Sequence, residues 1–254
     1  MVPALNPTSN PPVPDPRPPV DVSRRAAPPR LDEGWRAWVT FGLIAANLAM
    51  FAFEVVSGAS LAGPDPAAMV ALGGNFGPLT CHGQAWRLLT AMFLHYGVIH
   101  IGMNMVCLYQ IRIVERILSR AEFLALYCAA GLVGGLASVA SHPLAVSAGA
   151  SGAVFGMFGA FTAVMIVRRK RMDPAVWRNT MKSLGTFFAL NLALGLSQRG
   201  IDLTAHVGGL ATGFVGAFAL ARSARPTSRP LLRALVVAAA GSAVAFGGVH
   251  ALAR

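Results

Sequence analysis

The chain has 254 residues, 55% of them hydrophobic and only 12% charged, with a mean hydropathy of +0.57. A soluble domain carries about 25% charged residues, so the usual solvating charge is missing. The net charge of +11 raises nucleic acid as a partner. The cations sit in short clusters between apolar runs, however, which is the pattern of loops flanking membrane spans, and no nucleic-acid partner is expected. Cys81, Cys107 and Cys128 lack paired spacing, so neither a disulfide framework nor a cysteine metal site is expected.

Residues 1–34 hold ten of the seventeen prolines and almost no large apolar residues. Such a segment buries too little surface to offset its ordering entropy, and it reads as a disordered cytoplasmic tail. No ordinary signal peptide is visible, because the first apolar run begins only near Ala37. Ser57-Gly58-Ala59 mimics a cleavage site after that run, but the run is long enough to be retained as a span. Seven runs approach the length a spanning helix needs: 37–57, 95–118, 121–141, 149–168, 182–198, 203–221 and 231–252. The connection 58–94 is long and semi-apolar, with Phe76, Trp86, Leu88 and Phe93, and reads as a segment lying partly in the outer interface.

Charge then orients these runs. Arg24, Arg25, Arg30 and Arg36 precede the first, and Arg116 and Arg120 follow the second. Arg168-Arg169-Lys170-Arg171 follows the fourth, and Arg222, Arg225, Arg229 and Arg233 follow the sixth. The alternate connections are poor in cations apart from Arg87 and Arg199. This alternation predicts seven spans with the N-terminus inside and the C-terminus outside. Helices two, four and six then enter from the outer face.

Polar groups within a span are costly and point to function. Those that stand out are His100 and Asn104 in helix two, Ser151 in helix four and His206 in helix six, all near outer ends. Ser151 lies in Gly149-Ala150-Ser151-Gly152, where flanking glycines let a substrate backbone approach. Taken alone, that stretch reads as a small-residue packing stripe with Gly156 and Ala160. His206 alters the reading. With Gly209 and Gly213 it shares a face that admits close approach of helix four and brings a base toward the serine. His100 and Asn104, one turn apart, offer side-chain donors for an oxyanion, together with the Ser151 amide. The bland alternatives are an interhelical histidine and a polar pair that links helices. His95 reads as structural.

Five stretches in order resemble the rhomboid family of intramembrane serine proteases. They are Trp86-Arg87 with Thr90 and Phe93-Leu94-His95, the run His95 to Asn104 with its HxxxxHxxxN spacing, Glu115-Arg116, Gly149-Ala150-Ser151-Gly152, and Ala205-His206-Val207-Gly208-Gly209 with Gly213. The resemblance covers residues 37–221. It implies an all-α polytopic membrane protein with a six-helix core over 35–222, N-terminus inside, and a loop and additional seventh helix over 223–254. It assigns Ser151 as nucleophile, His206 as general base, and His100, Asn104 and the Ser151 amide to the oxyanion. Gly149, Gly152, Phe155, Trp86, Arg87 and Gly209 become supporting or substrate-proximal residues. It implies single-pass membrane substrates cut in or near the outer part of their span, with no metal or soluble cofactor. A substrate would enter between helices two and five, with Phe187 and Phe188 as gate candidates. Phe155 stands where the family often has Tyr, and Arg112 and Ser119 stand where glycines are common.

Two other readings compete: a silent rhomboid-like protein that binds membrane helices, and a small transporter. The first is weakened because serine and histidine are both present, the second because no internal repeat pairs two halves. An Ala-, Gly- and Arg-rich chain with short loops fits a bacterial inner membrane, with the site facing outward.

Overall fold

The computed structural model describes residues 36–63, 65–197, 202–222 and 229–254; the tail 1–34 lies outside them, as do the side chains of 191–197. The described elements are helical, apart from one isolated antiparallel bridge between Asn75 and Ser147. They run α1 (Trp38–Val56), α2 (Pro66–Ala71), α3 (Gly77–Thr80), α4 (Arg87–Thr90), α5 (Val98–Gln110), α6 (Ile113–Ile117), α7 (Arg120–Ser141), α8 (Ser151–Arg168), α9 (Pro174–Ser197), α10 (Leu203–Arg222) and α11 (Pro230–Leu252).

By length and apolarity five helices can cross a membrane: α1, α7, α8 extended by a 3-10 turn to Arg171, α10 and α11. A sixth span follows if Arg87–Phe93 and Val98–Ile117, which meet at 93°, count as one bent unit. The chain is therefore an all-α polytopic membrane protein. Large apolar residues such as Phe53, Val207, Val215 and Val236 are exposed, as lipid-facing residues must be.

Two boundaries differ from the sequence reading. The second run was expected to be helical from residue 95, but α5 starts at Val98. Gly97 has a φ of 89°, outside the helical region, and the Val98 amide donates to Leu61 O at 2.9 Å. The fifth run was expected from residue 182, but α9 starts at Pro174. Asp173 accepts from the amides of Ala175 and Val176 at 2.7 and 3.3 Å, and this first stretch is polar enough to escape a hydropathy reading. With Arg178 and Lys182 in it, α9 is not among the helices apolar enough to count as a span.

Helices α7 and α8 each hold more buried residues than any other helix, and α10 lies against both. The α8–α10 contact is made by backbone. A Cβ on Gly209 would overlap the carbonyl of Gly152, and one on Gly213 the carbonyl of Gly156. In lipid, where burial of apolar surface does not drive association, such close packing holds helices together. The expected pairing of the Gly152–Gly156 and Gly209–Gly213 faces is thus present.

Carboxylates pin the opposite end. Helix α1 has no cap from its own N-cap residue. Instead Glu115 of α6, fully enclosed, accepts from the Val39 amide at 3.0 Å and from the Thr40 amide and hydroxyl at 2.9 and 2.8 Å. An anion at a helix N-terminus satisfies orphan amides and opposes the helix dipole. Glu122 closes a capping box with Ser119 at the start of α7 and pairs with Arg233 of α11 at 3.0 Å. Arg233 also donates to Leu220 O at 2.6 Å, and Gly241 of α11 abuts Ala129 of α7. Helix α11 is therefore attached to the bundle by charge and by close packing.

Replacing Glu115 with Ala strands two buried donors and one partly buried one, and the expected loss is about 2–4 kcal/mol. Thermal unfolding in detergent should show a lower midpoint for Glu115→Ala and a smaller drop for Glu115→Gln, which keeps an acceptor. A parental midpoint for the alanine variant would refute the capping role.

Candidate active site

The segment before α5 is folded by polar contacts to its own backbone. Arg87, buried, donates from Nε to Gln84 at 2.7 Å and from Nη1 to Val70 O and Gly74 O at 2.6 and 3.0 Å. Thr90 donates to Gly73 O at 2.6 Å, and Asn75 donates to Gly135 O of α7 at 2.9 Å. Glu54 of α1 accepts the His95 amide on both oxygens at 3.2 Å. His95 is fully buried, in keeping with a structural role.

This scaffold frames a cavity of about 530 Å³ lined by His100, Asn104, Ser151, Phe155, Asp202 and His206. Gly149 and Gly152 also face it, whereas Trp86, Arg87 and Gly209 do not line it. Trp86 is half exposed with the Arg87 guanidinium 4.8 Å from its ring centroid. Gly209 acts one layer behind, through its contact with Gly152.

Three helix starts meet here. Ser151 is the first residue of α8, so its amide has no partner within the helix and remains a free donor. The approach to it is fixed: Tyr96 Oη donates to Val146 O at 2.9 Å, Ser147 and Asn75 exchange two backbone bonds at 2.9 Å, and the Gly149 amide donates to Ala91 O at 2.8 Å. Gly149 has a φ of 134°, a left-handed conformation, and a Cβ there would lie 2.7 Å from His100 Cε1. Only glycine satisfies both conditions.

His100 Nδ1 accepts the Tyr96 amide at 3.2 Å. In the neutral ring this leaves the proton on Nε2, the nitrogen that lies over Gly149. Asn104 uses one amide proton on His100 O at 2.9 Å and retains the other. The cavity thus holds an imidazole N–H, a carboxamide N–H and a helix-start amide, the donor types an oxyanion needs.

The His206 ring stacks on Phe155 at 4.2 Å with 9° between planes. Its Nδ1 is buried without a hydrogen-bond partner. Among the described residues no hydrogen bond joins Ser151 to His206, although both line the cavity; such bonds are often open in unliganded enzymes. Phe155 also neighbours Phe187 and Phe188 at 5.7 and 6.3 Å, and Phe158 stacks on Phe187 at 3.8 Å. The two phenylalanines of α9 therefore reach the ring that carries His206.

Sequence reasoning overlooked Asp202, Tyr96, Ser147 and Glu54. Asp202 caps α10: its Oδ1 accepts from the Ala205 amide and the Thr204 hydroxyl at 3.0 and 2.8 Å, and its Oδ2 from Ser147 Oγ at 2.7 Å. An Asp three residues before the helix's third amide is a readable N-cap signal. Burial opposes its charge, but hydrogen bonds involving Ser138, the Ala205 amide, Ser147 and Thr204 outweigh it and hold the carboxyl below the ordinary aspartate range. A lowered pKa contributes stability above the unfolded value and loses it as pH falls through the folded value. The stability this corner contributes is therefore present above the ordinary aspartate range and lost as pH falls below it.

The rhomboid domain model matches residues 82–223. The chain belongs to the rhomboid family. It is 34% identical over 213 residues to rhomboid protease GluP of Bacillus subtilis, covering 83% of this chain and 40% of that protein. It is 31% identical over 139 residues to the putative rhomboid protease YdcA of the same organism, covering 54% and 68%. RHOMBOID-like protein 4 of Arabidopsis thaliana is 35% identical over 175 residues, covering 68% and 44%. The chain thus spans well under half of GluP, and the matched rhomboid region contains Ser151 and His206.

Gly149→Ala tests the geometry of this rhomboid site without turnover. The combination of left-handed strain and the His100 contact should cost about 1–3 kcal/mol. It should also shift the His100 imidazole resonances. An unchanged thermal midpoint with unshifted His100 signals would contradict the site as described.

Proposed function

We propose that this rhomboid protein is a serine endopeptidase that cleaves single-pass membrane proteins in or near the outer part of their spans. The observation that carries the reading is the convergence of Ser151, His206, His100 and Asn104 on one cavity at the starts of α5, α8 and α10.

His206 Nε2 takes the Ser151 Oγ proton as the oxygen attacks the scissile carbonyl. The negative charge that develops on the carbonyl oxygen is met by the Ser151 amide, His100 Nε2–H and the free Asn104 N–H. The tetrahedral intermediate collapses, His206 returns its proton to the leaving amine, and an acyl-enzyme remains on Ser151. Water then adds to the ester with His206 again as base, releasing the acid and restoring the serine. Each step moves one proton between oxygen or nitrogen and the imidazole, so neither metal nor redox cofactor is required. No third acid is needed; stacking on Phe155 aligns the ring.

Orientation and access follow from the same geometry. The three helices start at the cavity, and the cationic cluster Arg168–Arg171 ends α8 at the far side. The positive-inside rule then turns the cavity outward, where hydrolytic water is available. A bacterial inner membrane suits this arrangement. A substrate span would enter between α5 and α9, where Phe187 and Phe188 border Phe155.

With a labelled single-pass substrate, Ser151→Ala and His206→Ala should each lower kcat by about 10³-fold or more. A serine-directed phosphonate should label the parent and spare Ser151→Ala. Parental cleavage by both variants would show that the assignment is wrong and favour a helix-binding role.

A further inference from the structure

Asp202 does more than cap its own helix. Its Oδ1 serves α10, but its Oδ2 leaves α10 to accept the hydroxyl of Ser147, on the segment that leads into α8. Ser147 is four residues before Ser151, and Asp202 is four residues before His206. The His206 amide donates to Asp202 O at 3.2 Å, so a displacement of Asp202 is passed directly to the turn that carries the base. Ser147 is held from its other side by the two backbone bonds with Asn75. The glycine contacts between α8 and α10 begin at Gly152, against Ala205 and Gly209, past both Ser147 and Asp202 in the chain. The Ser147–Asp202 bond is therefore the side-chain link described between the nucleophile's approach and the base's helix at the cavity mouth.

We infer that Asp202 is a positioning residue for the Ser151–His206 pair, acting through Ser147 to hold the two helix starts in register. The inference rests on the dyad reading above and adds to it a residue from neither motif. A hydrogen bond to a charged acceptor in a partly dry site is strong enough for its loss to matter. Its loss should affect alignment more than substrate binding, since the two side chains are engaged with each other between the helix starts.

The test uses the full chain in detergent or proteoliposomes with Ser147→Ala, Asp202→Ala, their double variant and Asp202→Asn. Ser147→Ala and Asp202→Ala should each lower kcat by about tenfold with KM nearly unchanged. The double variant should be no worse than Asp202→Ala alone, because that substitution already removes the acceptor of the Ser147 hydroxyl. Asp202→Asn, whose carboxamide caps the helix and can donate to Ser147 Oγ, should recover most of the rate. A parental kcat for Ser147→Ala, additive losses in the double variant, or Asp202→Asn as poor as Asp202→Ala would overturn the inference. A reading independent of turnover separates this from the dyad assignment. Amide hydrogen exchange across 147–151 should accelerate in Asp202→Ala, although the substitution lies on another helix. Unchanged exchange there would refute the link even if Ser151 and His206 behave as catalytic residues, and faster exchange would support it even if they do not.

Discussion

The backbone contact between α8 and α10 is the constraint on which the rest of this molecule depends. Gly209 meets the Gly152 carbonyl and Gly213 the Gly156 carbonyl with no room for a side chain. Lipid tails match Leu or Val in apolarity, so helices in a bilayer gain little by hiding such residues from the solvent. Contact between bare backbones gives dense dispersion and sets one relative height for the two helices. That height brings the start of α8 and the start of α10 to the same cavity.

Polar groups then fix what the glycines leave loose. At one end Glu115 caps α1 from α6, and Glu122 joins α7 to α11 through Arg233. At the other, Glu54 holds the His95 amide, Arg87 organises the loop before α5, and Asp202 links α10 to Ser147. Each buried carboxylate serves orphan amides, hydroxyls or a cation, which is the condition under which charge is tolerated away from water. The result is a cavity with a rigid donor side around His100 and Gly149. Its aromatic side, Phe155 with Phe187 and Phe188, leads to α9, whose sequence is less apolar than that of its neighbours.

Much of this was legible beforehand because it is local. Apolar runs of spanning length, cationic clusters between them and polar residues at run ends are properties of short windows; they announced the membrane class and singled out four polar residues that line one cavity. What escaped was non-local or conformational. Helix α5 starts three residues late because Gly97 turns the chain and Val98 bonds to Leu61, a residue thirty-seven positions earlier. Helix α9 extends back to Pro174 because Asp173 caps it, and hydropathy is blind to capping. Trp86 and Arg87, grouped with the site by motif, stand off the cavity, because Arg87 is spent on carbonyls of its own loop.

The sequence by itself determined that this chain lives in a bilayer, that it belongs with the rhomboids, and that Ser151, His206, His100 and Asn104 are its chemically distinctive polar residues. Length, apolarity and motif order need no third dimension. Only the tertiary structure decided that His100 accepts the Tyr96 amide and turns its other nitrogen toward Gly149, that Phe155 stacks on His206, and that Asp202 reaches across to Ser147. Each of these depends on an angle or a contact between segments far apart in the chain, and residue spacing along one helix carries no information about the partner that another helix brings to it.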